Sequence, residues 1–294
     1  MSVLGINPFL YCYNLELIEF DSDEYFINDE GIIRTNSETN SEVICYMMNL
    51  TTPELLIPSS CSKLREYSIF ANLHLEIIYL MASVTHVSDY SIGNCTSLNK
   101  VFHYSEDPFI ECGKYILYGC QETTSLYVYM NYDITKADGF WLIARAVGKS
   151  GDIYFYKNSG ELFFYGLGYM EESYESEESK GGSNAPWIQQ HSSINSVIFY
   201  YGVKSISSFA FYCSPEDSDG YPIKTVYINN EIERIGDVAF GHCKNIEKIT
   251  IPSTVTSLGD NPFAGCSSLT DITLENNQNY IYDKGIITTK KVIK

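Results

Sequence analysis

The chain has 294 residues, 45% of them hydrophobic, which is enough to bury a large core in one or two domains and unlike a disordered polymer. Lys and Arg total 19 against 37 Asp and Glu, a net charge of −18 that repels nucleic acid phosphates and anionic lipid headgroups, so neither is an expected partner. No apolar run reaches the roughly 18 to 20 residues of a spanning helix, and the first twenty residues lack the basic start and apolar block of a signal peptide.

The first predicted element is part of a repeat. LGINPFLYCYNL (4–15) keeps Leu, Gly, Asn, Pro, Phe, Cys and Leu at the offsets of LGDNPFAGCSSL (258–269). The match continues without a gap, DSDEYFINDEGII (21–33) running parallel to ENNQNYIYDKGII (275–287), so Gly31 and Gly285 share the 254-residue offset of Leu4 and Leu258. A start of this kind points to a chain cut from something longer. Next come CSKLREYSIFANLHLEIIYL (61–80) and VTHVSDYSIGNCTSLNKVFHY (84–104), then a weaker copy at 112–130. A weaker copy at 203–228 carries an insertion around SPEDSDGYP, and IERIGDVAFGHCKNIEKITIP (232–252) stands directly over VTSLGDNPFAGCSSLTDITLE (255–275) with every slot moved by 23. A period in the range of 20 to 29 residues is the mark of a leucine-rich-repeat solenoid.

Each slot has a physical reading. In EKITIP, Ile249 and Ile251 alternate with Thr250, which makes a short strand with the isoleucines inward, and the proline after it ends the ladder. In IGDVAFGHC, Phe240 and Cys243 belong to a compact return turn, and Gly236 is expected to supply backbone angles that a side chain forbids. One such unit cannot bury its apolar face alone, so neighbours must stack. The pattern resembles the BspA-like leucine-rich-repeat family, whose units read I-G-x-x-A-F-x-x-C-x-x-L-x-x-I-x-I-P. Departures are Ile69, Ile92 and Leu117 in the phenylalanine slot and Asn72 in the cysteine slot. The expected fold is α/β to mainly β, a right-handed leucine-rich-repeat solenoid with a curved parallel sheet, interrupted by a β-hairpin element. The expected division is an array over 1–140, a hairpin element over 141–200 and a second array over 201–294, continuous with the first or a tandem unit.

Between the arrays, the runs Ile153–Tyr156 and Leu162–Tyr165 flank Asn158, Ser159 and Gly160 and predict a β-hairpin. The same stretch resembles the element that precedes a new array in BspA-like proteins, here Gly160, Leu162, Gly166, Gly168, Met170 and Ala185-Pro186-Trp187. SINSVIFYYGVKSI then restarts the repeat with Ile194, Val197 and Phe199 inward. The acidic tract Glu171–Glu178 lacks the spacing of a calcium loop and reads as solvated.

Little in the chain suggests catalysis. The nine cysteines include no C-x-x-C pair, and Cys95, Cys120, Cys243 and Cys266 share one repeat slot, so they read as small apolar fillers, with rung-to-rung disulfides as the alternative. His74, His86, His103, His191 and His242 form no motif with a carboxylate, and neither G-x-S-x-G, a phosphate-binding glycine loop nor H-E-x-x-H occurs. No cofactor or metal is expected. Asn49 (NLT) and Asn94 (NCT) match the glycosylation pattern, although Asn94 adjoins a cysteine slot.

The slot facing away from the core is more informative. It reads Leu56, Tyr79, Phe102, Tyr127, Ile198, Tyr227, Thr250 and Thr273, and the first six are large and apolar or aromatic. Stacked side by side they make either a protein-binding stripe or a ladder of rings that steadies adjacent strands. The expected function is therefore non-enzymatic protein binding. The resemblance implies a cell-surface or secreted protein that adheres to host, matrix or other cell-surface proteins. The alternative is an accessory scaffold region of a larger surface enzyme or intracellular regulator.

Overall fold

The computed structural model describes every residue except 1–3, 13, 16–17, 22, 28–30, 39, 48–49, 130–131, 138–139, 141, 177–181, 216–220, 284–285 and 291–294. Gly285, Asn49, Glu177, Glu178 and the centre of the SPEDSDGYP insertion lie outside the described residues. The chain forms two compact units, Met1–Ala146 and Val147–Lys294. Each is a β-solenoid of short coils. Among the described residues the helical segments are two 3-10 turns, Ile134–Lys136 and Ile188–Ser193, and no helix is long and apolar enough to cross a membrane.

In the first unit a parallel ladder joins Glu54–Ile57, Ile77–Met81, Lys100–Tyr104, Ser125–Val128 and Leu142–Arg145. Its register places Leu56, Tyr79, Phe102, Tyr127 and Ala144 side by side, so residues 23, 23, 25 and 17 apart in the chain become neighbours across successive strand pairs. On the other side of the same strands Leu55, Ile78, Val101 and Leu126 are fully buried, as the two-residue alternation requires. A second ladder begins as the antiparallel strands Tyr25–Ile27, Ile32–Thr35 and Ser41–Tyr46 and continues parallel through Cys61–Leu64, His86–Val87 and Glu111–Cys112.

The second unit opens on the predicted hairpin. Ile153–Asn158 and Glu161–Gly166 pair antiparallel with Asn158 opposite Glu161, and Ser159 and Gly160 both have positive φ (45° and 94°). That is the two-residue turn whose twist suits paired strands. Its second strand pairs in parallel with Ser196–Phe199, which pairs with Thr225–Tyr227, so the hairpin forms the first rung of the array that follows. Further along, Lys248–Ile251 pairs in parallel with Asp271–Leu274. Trp187 is 1% exposed at the centre of this core, edge-on to Phe155, Phe164 and Tyr174 and stacked on Phe211, and its indole N–H donates to Ala210 O at 2.9 Å. From there the phenylalanine slot forms a column, Phe211 on Phe240 at 5.0 Å and Phe240 on Phe263 at 5.8 Å, with planes within 15°.

The return turns share one backbone device. Two residues before the phenylalanine slot the chain enters the left-handed region, at Asn7, Tyr67, Tyr90 and Tyr115 in the first unit and at Phe209, Val238 and Asn261 in the second. Two residues after the slot it does so again, at Tyr11, Ala71, Asn94, Gly119, His242 and Gly265. For residues other than glycine each excursion costs about 1–2 kcal/mol. The offset comes from hydrogen bonds along the stack: Tyr67 N–H donates to Tyr90 O at 3.2 Å, Ala71 N–H to Gly93 O at 2.8 Å and His242 N–H to Ala264 O at 2.6 Å. The ladder therefore runs through the bends as well as the strands. The expectation for Gly236 is corrected here, because its φ is not positive. What excludes a side chain is space, since a Cβ would sit 2.3 Å from Ser208 N and 2.7 Å from Ser208 Cα on the preceding coil.

The cysteine slot holds free thiols throughout. Cys95, Cys120, Cys243 and Cys266 each donate to the carbonyl of the phenylalanine-slot residue one coil earlier, Ile69, Ile92, Phe211 and Phe240, at 3.8, 3.9, 3.2 and 3.0 Å. Burial pushes the Cys266 thiol up to about 11. Asn72 does the corresponding work with an amide: Nδ2 donates to Leu50 O at 3.1 Å while Oδ1 accepts from the His74 and Leu75 N–H groups.

Candidate functional site

The outward column stands in the predicted register in both units, but its surroundings differ from strand to strand. In the first unit Tyr79 and Phe102 are 1% and 0% exposed and Tyr127 is 9% exposed, which corrects the expectation of solvent exposure for these three. The cause is the rings themselves. Phe102 stacks on Tyr79 at 5.5 Å and on Tyr127 at 5.0 Å, and the next outward position is again aromatic, with Tyr104 against Tyr79 and Phe102 and Tyr129 against Tyr104. The Tyr79 hydroxyl donates to Glu54 Oε2 at 3.1 Å, and burial raises the Glu54 carboxyl above its usual range. Leu56 is half-buried at the edge of this ladder.

In the second unit the column reads Phe163, Ile198 and Tyr227, and a separate strand pair sets Thr250 beside Thr273. Phe163 is buried, Ile198 half-buried and Tyr227 exposed, while Thr250 and Thr273 face solvent. Phe163 and Ala144 are members of the two columns that the repeat frame missed, because both stand on strands outside a recognisable copy.

A second set of aromatic residues escaped the sequence reading. The left-handed residues Tyr67, Tyr90 and Tyr115 stack ring on ring at 5.6 and 5.4 Å, within 19° of parallel, on the return side of the first unit. Tyr118 meets Tyr90 edge-on, and Phe70 meets Tyr67 and Tyr11 in the same way. Tyr115 and Tyr118 are 58% and 54% exposed. The signal was present in EYS, DYS and KYI, three copies with tyrosine at one offset, but it appears only once the turn is known to face outward.

The described histidines and cysteines do not gather into a reactive cluster, and among the described residues no group of three or more His, Cys, Asp or Glu is placed to hold a metal ion. His103 occupies an inward slot where the neighbouring strands carry Leu80 and Val128. It is 1% exposed, stacked on Phe109 at 4.2 Å, with Nδ1 3.1 Å from the Tyr132 hydroxyl. The same hydroxyl accepts from Phe109 N–H at 3.1 Å. Burial lowers the His103 pKa to about 4. In the second unit Tyr169 donates to Glu233 at 2.7 Å and Lys204 pairs with the same carboxylate at 3.2 Å, an exposed cluster that depresses the Glu233 pKa through the tyrosine bond first.

Comparison with known proteins follows the same division. The family model of the BspA type leucine-rich-repeat region matches residues 37–141 and 188–284 in six copies. No curated protein matches the chain. Among solved structures, the chain is similar to a leucine rich cell surface protein from Faecalibacterium prausnitzii A2-165 at 17% identity and a TM-score of 0.30. The match covers 92% of this chain and 59% of that one, so the chain spans less than two thirds of that protein's length. It is similar to the pneumococcal vaccine antigen PcpA at 12% identity and a TM-score of 0.30, covering 87% and 83% of the two chains. A leucine-rich repeat protein from Bacteroides ovatus ATCC 8483 is 16% identical with a TM-score of 0.29, covering 88% and 89%.

Proposed function

Because the chain belongs to the BspA-type leucine-rich-repeat family, we propose that it is a non-enzymatic protein-binding module of a cell-surface or secreted protein that adheres to host, matrix or other cell-surface proteins. The observation that carries this reading is the placing of large exposed aromatic side chains on a rigid repetitive scaffold: Tyr115, Tyr118 and Tyr227 are 58%, 54% and 52% exposed. Tyrosine gives large contact area at small entropic cost, and repeat scaffolds present such groups over extended surfaces. Of the six outward residues, Leu56, Ile198 and Tyr227 keep accessible surface and are the proposed contacts. Tyr79, Phe102 and Tyr127 are assigned instead to holding the strands that carry the surface. The surface that −18 of net charge creates favours a partner with basic patches.

The test is a binding screen of the full chain against extracellular-matrix and plasma proteins, repeated with Tyr115→Ser, Tyr118→Ser and Tyr227→Ser combined. The expected result is at least tenfold weaker binding with an unchanged unfolding midpoint. A folded triple variant that keeps full affinity for every partner found sinks the reading.

A further inference from the structure

Two of the nine cysteines, Cys95 and Cys120, occupy one slot on consecutive coils of the first unit, and those coils are bonded to each other on both sides of the pair. Before it, Ile92 N–H donates to Ile116 O at 3.0 Å and Asn94 N–H to Tyr118 O at 2.7 Å; after it, Gln121 Nε2 donates to Thr96 O at 2.8 Å. The residues that precede the two cysteines, Asn94 and Gly119, share a left-handed backbone with φ of 51° and 73°, and a Cβ on Gly119 would lie 3.5 Å from Asn94 Cα. Coils bonded in this way lie about 4.7–4.9 Å apart, inside the roughly 4.4–6.8 Å that a disulfide spans between Cα atoms. One coil earlier the slot holds Asn72, so Cys120 is the thiol next to Cys95 in this column.

The two differ in access and in acidity. Cys95 is fully buried, whereas Cys120 is half-buried between the exposed residues Gly119 and Gln121. The Cys95 thiol donates to the Cys120 sulfur, which lowers the Cys120 pKa against the opposing effect of burial, and Cys95 N–H adds to the lowering. The same contact, ahead of burial, raises the Cys95 pKa. The corresponding slot of the second unit lacks this asymmetry: burial is the first cause at both Cys243 and Cys266 and raises both, the latter to about 11. The thiolate is the reactive form, so a partly exposed thiol of lowered pKa beside a buried second thiol has the arrangement of an attacking and a resolving cysteine.

We propose that Cys95 and Cys120 form a reversible, peroxide-sensitive dithiol site, at which oxidation staples two consecutive coils of the first unit. The Cys120 thiolate attacks one peroxide oxygen, the O–O bond breaks, and the departing hydroxide takes up the proton that Cys120 released and leaves as water, so that Cys120 carries a sulfenic acid. The Cys95 sulfur then attacks the Cys120 sulfur, the S–O bond breaks, and a second water leaves with the Cys95 proton. The two thiols give up one electron each and the peroxide takes both; a dithiol reductant reverses the bond by exchange. The staple ties together the coils that carry Tyr90 and Tyr115 and constrains the unfolded chain, so the oxidised form unfolds at a higher temperature.

The probe is hydrogen peroxide, added to the reduced full chain near neutral pH, followed by alkylation of the remaining thiols, digestion without reductant and mass spectrometry. A linked pair of peptides containing Cys95 and Cys120, lighter by two hydrogens than its parts and released by dithiothreitol, is expected, with Cys243 and Cys266 alkylated. In Cys95→Ser the sulfenic acid on Cys120 lacks its resolving partner and is expected to be trapped by dimedone, whereas Cys120→Ser leaves Cys95 as an unreacted thiol. Failure of the Cys95–Cys120 link to form in the folded wild type overturns the proposal, as does linkage of Cys243 to Cys266 at an equal rate. Equal yields of the Cys95–Cys120 link in the native chain and in the chain unfolded in urea overturn it too, since the stacked coils are then not what pairs the thiols.

Discussion

The two units use one repeat but fill its phenylalanine slot differently. In the first, the phenylalanine slot holds Ile69, Ile92 and Leu117, and two ring stacks lie outside that slot, Tyr79–Phe102–Tyr127 on the strands and Tyr67–Tyr90–Tyr115 on the turns. In the second, Phe164, Phe199, Phe211, Phe240 and Phe263 fill the interior around Trp187, and the later outward slots are threonine. Both arrangements keep the strand register and the left-handed residue two before the slot, and, except at Cys213, its counterpart two after it. What defines a coil is therefore the alternation of inward apolar positions together with two bends whose N–H groups point along the stack. The volume that fills each slot is exchangeable between coils so long as neighbours match, and this is the reason the phenylalanine slot is aliphatic at 69, 92 and 117 and aromatic at 211, 240 and 263.

That contrast can be tested from the inside outward. Trp187→Ala removes the largest side chain of the second core and is expected to cost about 3–5 kcal/mol, read as a lower denaturation midpoint and lost amide protection centred on Val197, Phe199 and Ala210. Phe240→Ala and Ile92→Ala change the same slot in the two units. The first is expected to cost about 3–5 kcal/mol and the second about 2–5 kcal/mol, with the phenylalanine loss the larger because it also breaks two ring stacks.

His103 gives the comparison a pH axis. Its folded pKa of about 4 lies below the ordinary 6.5, so between these values the unfolded chain binds the proton and the native one does not. This contribution is fully present above pH 6.5 and is lost as pH falls from 6.5 to 4, by on the order of 3 kcal/mol. Denaturation curves of the wild type and His103→Leu are expected to diverge across this window, the variant losing less stability on acidification. Parallel curves contradict the assignment of a buried neutral imidazole. A smaller effect is expected from Phe102→Leu, which removes two stacking partners for about 0.5–1.5 kcal/mol while leaving the exposed tyrosines in place. The smallest is expected from Tyr115→Ser, within about 0.5 kcal/mol, since the ring is 58% exposed.

Much of this was legible in the chain itself. The spacing of Ile235, Phe240, Cys243 and Ile249 against Leu258, Phe263, Cys266 and Ile272 is enough to stack two coils, because a strict 23-residue step leaves one register. The hairpin was legible from Asn158-Ser159-Gly160 between alternating runs. Exposure was less legible, because the face on which Tyr79 lies follows from alternation but its burial depends on Phe102, Tyr104 and Glu54, which only three dimensions bring together. His103 was hidden for the opposite reason: in VFHY nothing marks the histidine as inward until its strand is paired with Ile77–Met81. The left-handed turn positions were hidden because Tyr67, Phe209 and Val238 are not residues that ordinarily signal positive φ.

The stacking of coils is tested most directly by aromatic NOEs in the full chain. Cross-peaks are predicted between the rings of Phe211 and Phe240 and between those of Phe240 and Phe263, the nearest-neighbour pairs of the interior column, with none between Phe211 and Phe263. Absence of both neighbour cross-peaks, or a direct Phe211 to Phe263 contact, would contradict the stacked register from which every other assignment follows.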